Sequence, residues 1–259
     1  MDNGKTDRRQ WLKLAAGAGA IALAPAQALA RSAPRDVGRK FYPDGRVHPF
    51  RGNTIICHLP QQGPASEPFE ALLDVYRQLP GRKFTRKVTL LPPSSYHMTI
   101  FGGANDPERK PGAWPASVPL DTPIDECTRI LGERVKGAKI GDIAPIRMRV
   151  DTSPPTDSEN PLTIRLMAVD AAEDARLRAL RNQLSELLEI RSASHDRYRF
   201  HITLAYLIQH LDAAEQREFR AAYADIHAEV AKRCPIIELG QPEYCSLDDM
   251  FHFKRLFYI

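Results

Sequence analysis

Tyr96-His97-Met98-Thr99-Ile100 and Phe200-His201-Ile202-Thr203-Leu204 repeat one pattern, His-x-Thr between apolar residues, 104 positions apart. In an extended strand, successive side chains point to opposite faces. His97 and Thr99 therefore share one face while Met98 and Ile100 share the other, and the same holds for His201 and Thr203 against Ile202 and Leu204. Each segment reads as a strand packed on one side by aliphatics and offering an imidazole and a hydroxyl on the other. Two such strands side by side bring two histidines and two threonines to one small, anion-sized space.

The flanking sequence repeats as well. Asn53 to Leu59 is a β-rich run closed by Pro60, and Ser66 to Leu79 carries Phe69, Leu72, Leu73, Tyr76 and Leu79 at helical spacing, with Pro68 in the first turn. The first motif follows in an extended piece from Lys87 to Phe101, and Asp125 to Val135 reads as a second helix. In the second half, Pro145 to Asp151 and Leu162 to Val169 alternate as the strands of a hairpin. Asp170 caps a helix reaching Ile190, striped by Leu177, Leu180, Leu184, Leu187 and Leu188. The second motif lies in an extended segment from Tyr198 to Ile208. Asp212 and Glu215 open a further helix through Lys232 in capping-box fashion, and strands near Pro235 to Glu243 and His252 to Ile259 close the chain. Strand, helix, motif strand, helix thus occurs twice, which predicts a duplicated α+β architecture with two antiparallel sheets around a central cleft and helices outside. Between the halves, prolines at 107, 111, 115, 119 and 123 exclude a helix, and the loop they define, carrying Arg109, Lys110 and Trp114, reads as a lid over the site or, equally, as a surface loop with Trp114 plugged into the core.

The first 30 residues read separately. Arg8-Arg9-Gln10-Trp11-Leu12-Lys13 looks like the twin-arginine export motif, and it precedes an Ala/Gly-rich apolar run too short to span a bilayer comfortably and a small-x-small site at Ala28-Leu29-Ala30. Cleavage there predicts a periplasmic protein that uses the twin-arginine translocation machinery as a transient partner. It would leave 229 residues with a net charge of +2, since the leader holds four of the basic and two of the acidic side chains of a chain whose net charge is +4. A body so nearly neutral argues against wrapping long nucleic acid and leaves room for a small anionic substrate at a local positive site. The domain plan is a leader over 1–30, a polar linker over 31–46, and one bilobal domain over 47–259 with lobes of about 47–140 and 141–259. Cys57, Cys127, Cys234 and Cys245 would permit one or two disulfides in an exported chain, and buried free thiols are equally open. No Cys-x-x-Cys or zinc-finger spacing occurs.

These motifs resemble those of the 2H (two-histidine) phosphoesterase superfamily, whose signature is a pair of H-x-[ST]-hydrophobic motifs, one per lobe of a bilobal fold. His97-Met98-Thr99-Ile100 and His201-Ile202-Thr203-Leu204 match it position by position, and the chain is similar to a bacterial branch with no assigned substrate. The resemblance implies a metal-independent phosphoesterase, without cofactor, that opens cyclic phosphodiesters such as 2′,3′-cyclic nucleotides or acts on RNA ends. Imidazole titrates near neutrality and suits both proton removal from water and proton delivery to the departing oxygen. His201 is assigned as the base and His97 as the acid, although the residues alone leave that order open. Thr99 and Thr203 would donate to the phosphate oxygens. Arg109, Trp114 and Tyr244 are candidate substrate contacts; Tyr96 and Tyr198 point away from the site if their strands are regular.

Other chemistries find little support. Cys57 and His58 are neighbours on a strand and face opposite ways, so they make no nucleophile–base dyad. Gly17-x-Gly19-x-x-Ala22 falls inside the leader, and no Walker loop, G-x-S-x-G or H-E-x-x-H occurs. The rival readings are a non-catalytic nucleotide- or sugar-phosphate-binding protein using the same pocket, and a metallohydrolase with His97 and His201 as ligands, for which the sequence nominates no third ligand.

Overall fold

The two motif strands are neighbours in the middle of one antiparallel sheet. The computed structural model describes residues 33–141, 143, 145–154 and 162–259. Its strands are β1 (Gly52–His58), β2 (Val88–Leu90), β3 (His97–Asn105), β4 (Ile146–Val150), β5 (Thr163–Ala168), β6 (His201–Thr203), β7 (Ala205–Leu207), β8 (Ile237–Leu239), β9 (Glu243–Leu247) and β10 (Phe253–Tyr258). Eight of them form a continuous sheet in the order β10-β9-β1-β3-β6-β5-β4-β8, and β2 pairs with β7 apart from it.

The sequence predicts two sheets, and the structure corrects this to one large sheet with a two-stranded annex. The reason lies in how the extended segments break. The stretch expected as one strand from Tyr198 to Ile208 is extended only from His201 onward, and Leu204 separates β6, which joins the large sheet, from β7, which pairs with β2. The segment from Lys87 to Phe101 is likewise interrupted at Pro92 and Pro93, which cannot donate to a ladder, so β2 and β3 serve different sheets. β3 then meets β6 through the pair Met98 and Ile202, and this joins the halves.

A row of residues across four strands shows what holds that junction. Cys57 opposes Met98, Met98 opposes Ile202, and Ile202 opposes Ile164; all four are fully buried. Helices α2 (Ile124–Gly137) and α3 (Ala171–Leu188) pack on this part of the sheet, α2 against β1 and β3 and α3 against β3 and β5. α1 (Glu67–Gln78) packs on α4 (Ala213–Arg233), and Arg233 ties the two through Asp74 at 2.7 Å and through Glu67. The caps fall where the sequence places them: the Asp170 carboxylate accepts from the Glu173 N–H, and Asp212 with Glu215 completes a capping box.

Two organisational expectations change. Residues from Pro34 onward belong to the same compact unit as the rest of the described chain, so the stretch read as a linker up to Arg46 is part of the fold. Phe41 explains it: this single aromatic is fully buried against Tyr206 and Phe251, at ring distances of 5.1 and 6.2 Å, and burial of one such side chain is worth about 2 kcal/mol. The proline-rich loop is not a lid. Trp114 is buried and donates from Nε1 to the Val118 and Pro119 carbonyls, and the Ser117 N–H bonds the Glu189 carboxylate at 2.8 Å at the end of α3. The leader lies outside the described residues.

Candidate functional site

Strand register assembles the site. With Met98 opposite Ile202 in antiparallel pairing, the residues one step to either side place His97 across from Thr203 and Thr99 across from His201, all on the face opposite the buried row. Direct register partners extend the same face: His58 opposes His97, Thr163 opposes Thr203, and Arg165 opposes His201. His97, Thr99, His201 and Thr203 each keep partial solvent access, whereas Met98 and Ile202 between them have none. The strand alternation that buries the row of apolar side chains thus presents a two-by-two array of imidazoles and hydroxyls.

Both rings are held alike. His97 Nδ1 lies 2.7 Å from the Ser95 carbonyl and His201 Nδ1 lies 2.8 Å from the Arg199 carbonyl, in each case two residues upstream. A carbonyl oxygen can only accept, so Nδ1 carries the hydrogen in both neutral rings and Nε2 keeps its lone pair. Desolvation pushes the His97 imidazole down to about 4, opposed by its bond to Ser95 and reinforced by His58 and His201; it also lowers His201, where Lys40 acts in the same direction. Before substrate binds, both imidazoles are therefore neutral near pH 7 and present basic Nε2 atoms.

The surroundings are polar and aromatic. The Tyr198 ring lies 6.1 Å from that of His201, and its phenol interacts with the Thr99 hydroxyl. Buried Arg181 stacks over Tyr198 at 4.0 Å and donates to the carbonyls of Ile100 and His195, so α3 fixes both motif segments at once. Phe253 covers His97 with ring centroids 4.4 Å apart. Lys40 bonds the Tyr206 hydroxyl at 3.2 Å and lies 3.4 Å from Asp36. His58 donates from Nδ1 to buried Glu243 at 3.1 Å.

Residues 40–159 match the family model 2H-phosphodiest, described as a domain of unknown function (DUF1868). The fold is similar to that of ATU0111, a conserved protein of unknown function from Agrobacterium tumefaciens strain C58, at 27% identity and a TM-score of 0.78 over 87% of this chain and 93% of that one. The family model and the shared fold support the 2H phosphoesterase superfamily. TT0787 of Thermus thermophilus also aligns, at 18% identity and a TM-score of 0.40 over 80% of this chain and 95% of that one, too distant to bear on the assignment. No functionally curated protein matches the sequence. The 2H superfamily points to a hydrolase acting on phosphoester bonds.

The site brings together four of the residues picked from sequence, His97, Thr99, His201 and Thr203, and leaves three elsewhere. Arg109 is spent on the proline-rich loop: it donates to the Leu120 and Thr122 carbonyls at 2.6 and 2.7 Å, pairs with Asp106 and stacks on Trp114. Trp114 is that loop's buried plug. Tyr244 lies in the core under α2 and donates its hydroxyl to the Thr128 carbonyl at 2.8 Å. Tyr198, set aside on strand parity, is at the site because residues 195–197 form a 3₁₀ turn and the regular strand begins only at His201. His58 and Lys40 carry no motif of their own and reach the site through register and the N-terminal segment, whereas Arg165, the register partner of His201, turns its guanidinium to Ser153, Pro154 and Asp151.

The four cysteines are free and buried, and desolvation raises the thiols of Cys57, Cys127, Cys234 and Cys245. They behave as small apolar core residues. Among the described residues no group of three or more His, Cys, Asp or Glu side chains is placed to hold a metal ion, and no helix is long and apolar enough to cross a membrane.

Proposed function

We propose that this protein hydrolyses cyclic phosphodiesters, such as 2′,3′-cyclic nucleotides, by metal-independent acid–base catalysis. One observation carries the reading: the Met98–Ile202 pairing sets His97 opposite Thr203 and Thr99 opposite His201 on one accessible face. Such an array fits a phosphoryl group with an imidazole to either side and hydroxyls for its non-bridging oxygens. His201 Nε2 takes a proton from water as the water oxygen bonds phosphorus. The P–O bond to the leaving ribose oxygen breaks, and that oxygen takes the proton from His97 Nε2. The product is a phosphomonoester with a free hydroxyl, and a proton returned from His201 to His97 through solvent resets the site. Desolvation keeps His97 neutral before substrate binds, and the negative charge of the bound phosphate favours its protonation. Thr99 and Thr203 donate to the phosphate oxygens, with the positive charge of Lys40 nearby.

Turnover of a 2′,3′-cyclic nucleotide panel in excess EDTA tests this reading. Activity that persists in EDTA and falls by about 10² to 10⁴ in His97→Ala and in His201→Ala supports it. Binding without turnover would favour a non-catalytic nucleotide- or sugar-phosphate-binding protein, and loss of activity in EDTA a metallohydrolase. The proposal includes export to the periplasm on the Arg8-Arg9 leader, checked by whether Arg8→Lys/Arg9→Lys retains the protein in the cytoplasmic fraction.

A further inference from the structure

The two motifs are alike in their own strands but not in what flanks them. Beside His201, the neighbouring strand supplies Arg165. Beside His97 it supplies His58, whose ring meets His97 edge-on with centroids 6.0 Å apart and planes at 69°. The far side of His58 is anchored by its 3.1 Å bond to Glu243 Oε1. That carboxylate is 5% exposed; its other oxygen lies 3.6 Å from Arg255 and accepts weakly from the Cys245 thiol. A carboxylate so far from solvent is costly to keep charged without partners, and His58 is its nearest one. Acid–base chemistry at His97 and His201 makes no use of this pair.

We propose that His58 and Glu243 form a positioning pair that acts through His97: the carboxylate fixes the His58 ring, and together the two set how tightly His97 holds its proton in the loaded site. The inference rests on the assignment of His97 as an acid–base group and deepens it. The groups facing His97 are His58 from β1, Glu243 from β9, His201 from β6 and the uncharged Phe253 ring from β10, with Lys40 lying toward His201. A charged His58 disfavours a second proton on its neighbour and the Glu243 carboxylate favours it, so the halves of the pair act in opposite directions on one ring.

Imidazole titration by NMR in the full chain, with saturating inorganic phosphate as the bound anion, tests this, the His97 resonance being assigned by its absence in His97→Ala. His58→Gln should raise the His97 midpoint by about half to one pH unit, the size expected for one charge about 6 Å away in a partly solvated site, and Glu243→Gln, which removes a charge beyond His58, should lower it by a smaller amount. His58→Gln/Glu243→Gln, in which two amides replace the pair, should return the midpoint toward wild type, and the pH profile of turnover should move in parallel. No shift, or shifts of the same sign in both single variants, overturns the proposal. Should Glu243→Gln fail to fold, the upward shift in His58→Gln decides alone. An absence of phosphate-induced change at His97 and His201 would instead sink the functional reading, and the titration without phosphate would still judge the pair.

Discussion

Met98 and Ile202 face each other across the seam between β3 and β6, and both are fully buried. The residues that bond the two halves are thus the ones between the histidine and the threonine of each motif. Core packing on one side of the seam fixes the placement of the chemistry on the other, because a slip of one residue would turn every motif side chain to the wrong face.

Shortening Ile202 to Ala should therefore do two things. Deleting a buried aliphatic of this size costs about 2 to 5 kcal/mol, and the loosened seam should lower kcat beyond what lost stability explains. Ile202→Val should cost about 0.5 to 1.5 kcal/mol and leave kcat near wild type. Chemical denaturation together with turnover on the folded fraction checks both; an Ile202→Ala protein with full kcat would separate the seam from the site.

Thr99 offers a sharper probe of the anion site because Tyr198 competes for it. Removing one preorganised donor to a developing charge costs about 10² to 10³ in rate, so Thr99→Val should lose that much while Thr99→Ser keeps most activity. Tyr198→Phe removes the phenol that interacts with Thr99 but not the ring beside His201. It should change kcat less than tenfold, whereas Tyr198→Ala should also release Arg181 and lower stability. Equal losses in Tyr198→Phe and Thr99→Val would move Tyr198 into direct contact with substrate.

How far the sequence carried this picture depends on which interactions were local. Alternation within five residues was enough to orient His97 with Thr99 and His201 with Thr203, since strand parity needs no tertiary knowledge. The caps at Asp170 and Asp212 were legible for the same reason. What the sequence did not show was register. His58 sits before Leu59-Pro60 with no hydroxyl two residues on, and only the β1–β3 pairing brings it to His97. Lys40 lay in a stretch that read as a polar linker until Phe41 proved to be an anchor. Tyr198 failed on parity because the chain turns before its strand begins, and one continuous sheet replaced two because β6 and β7 divide at Leu204.

Tyr244 shows the converse, a residue type suited to stacking a base that the fold uses otherwise. Its hydroxyl donates to the Thr128 carbonyl in the core. Tyr244→Phe should lower stability by about 0.5 to 1.5 kcal/mol through the lost hydrogen bond and leave KM for any cyclic nucleotide unchanged. A raised KM with unaltered stability would return Tyr244 to the binding site.

Acid should destabilise the fold through His227. This ring is 1% exposed, stacks on Tyr223 at 3.9 Å, donates from Nδ1 to the Tyr223 carbonyl and accepts the Arg165 backbone N–H at Nε2 with a distance of 3.1 Å. Burial pushes its imidazole down to about 4, opposed by the bond to Tyr223 and reinforced by Arg165. A proton on Nε2 would destroy the acceptor and strand the Arg165 N–H that links α4 to β5. The unfolded chain binds that proton near pH 6.5 and the native state only near 4, so the unfolded state holds more protons throughout that window. The stabilisation is complete above pH 6.5 and is lost as pH falls toward 4, by about 3 kcal/mol in all. His227→Gln can still accept from Arg165 but cannot titrate. Its denaturation free energy measured from pH 7 to pH 4 should fall less steeply than that of wild type by about this amount, and parallel slopes for the two proteins would place the acid sensitivity in other groups.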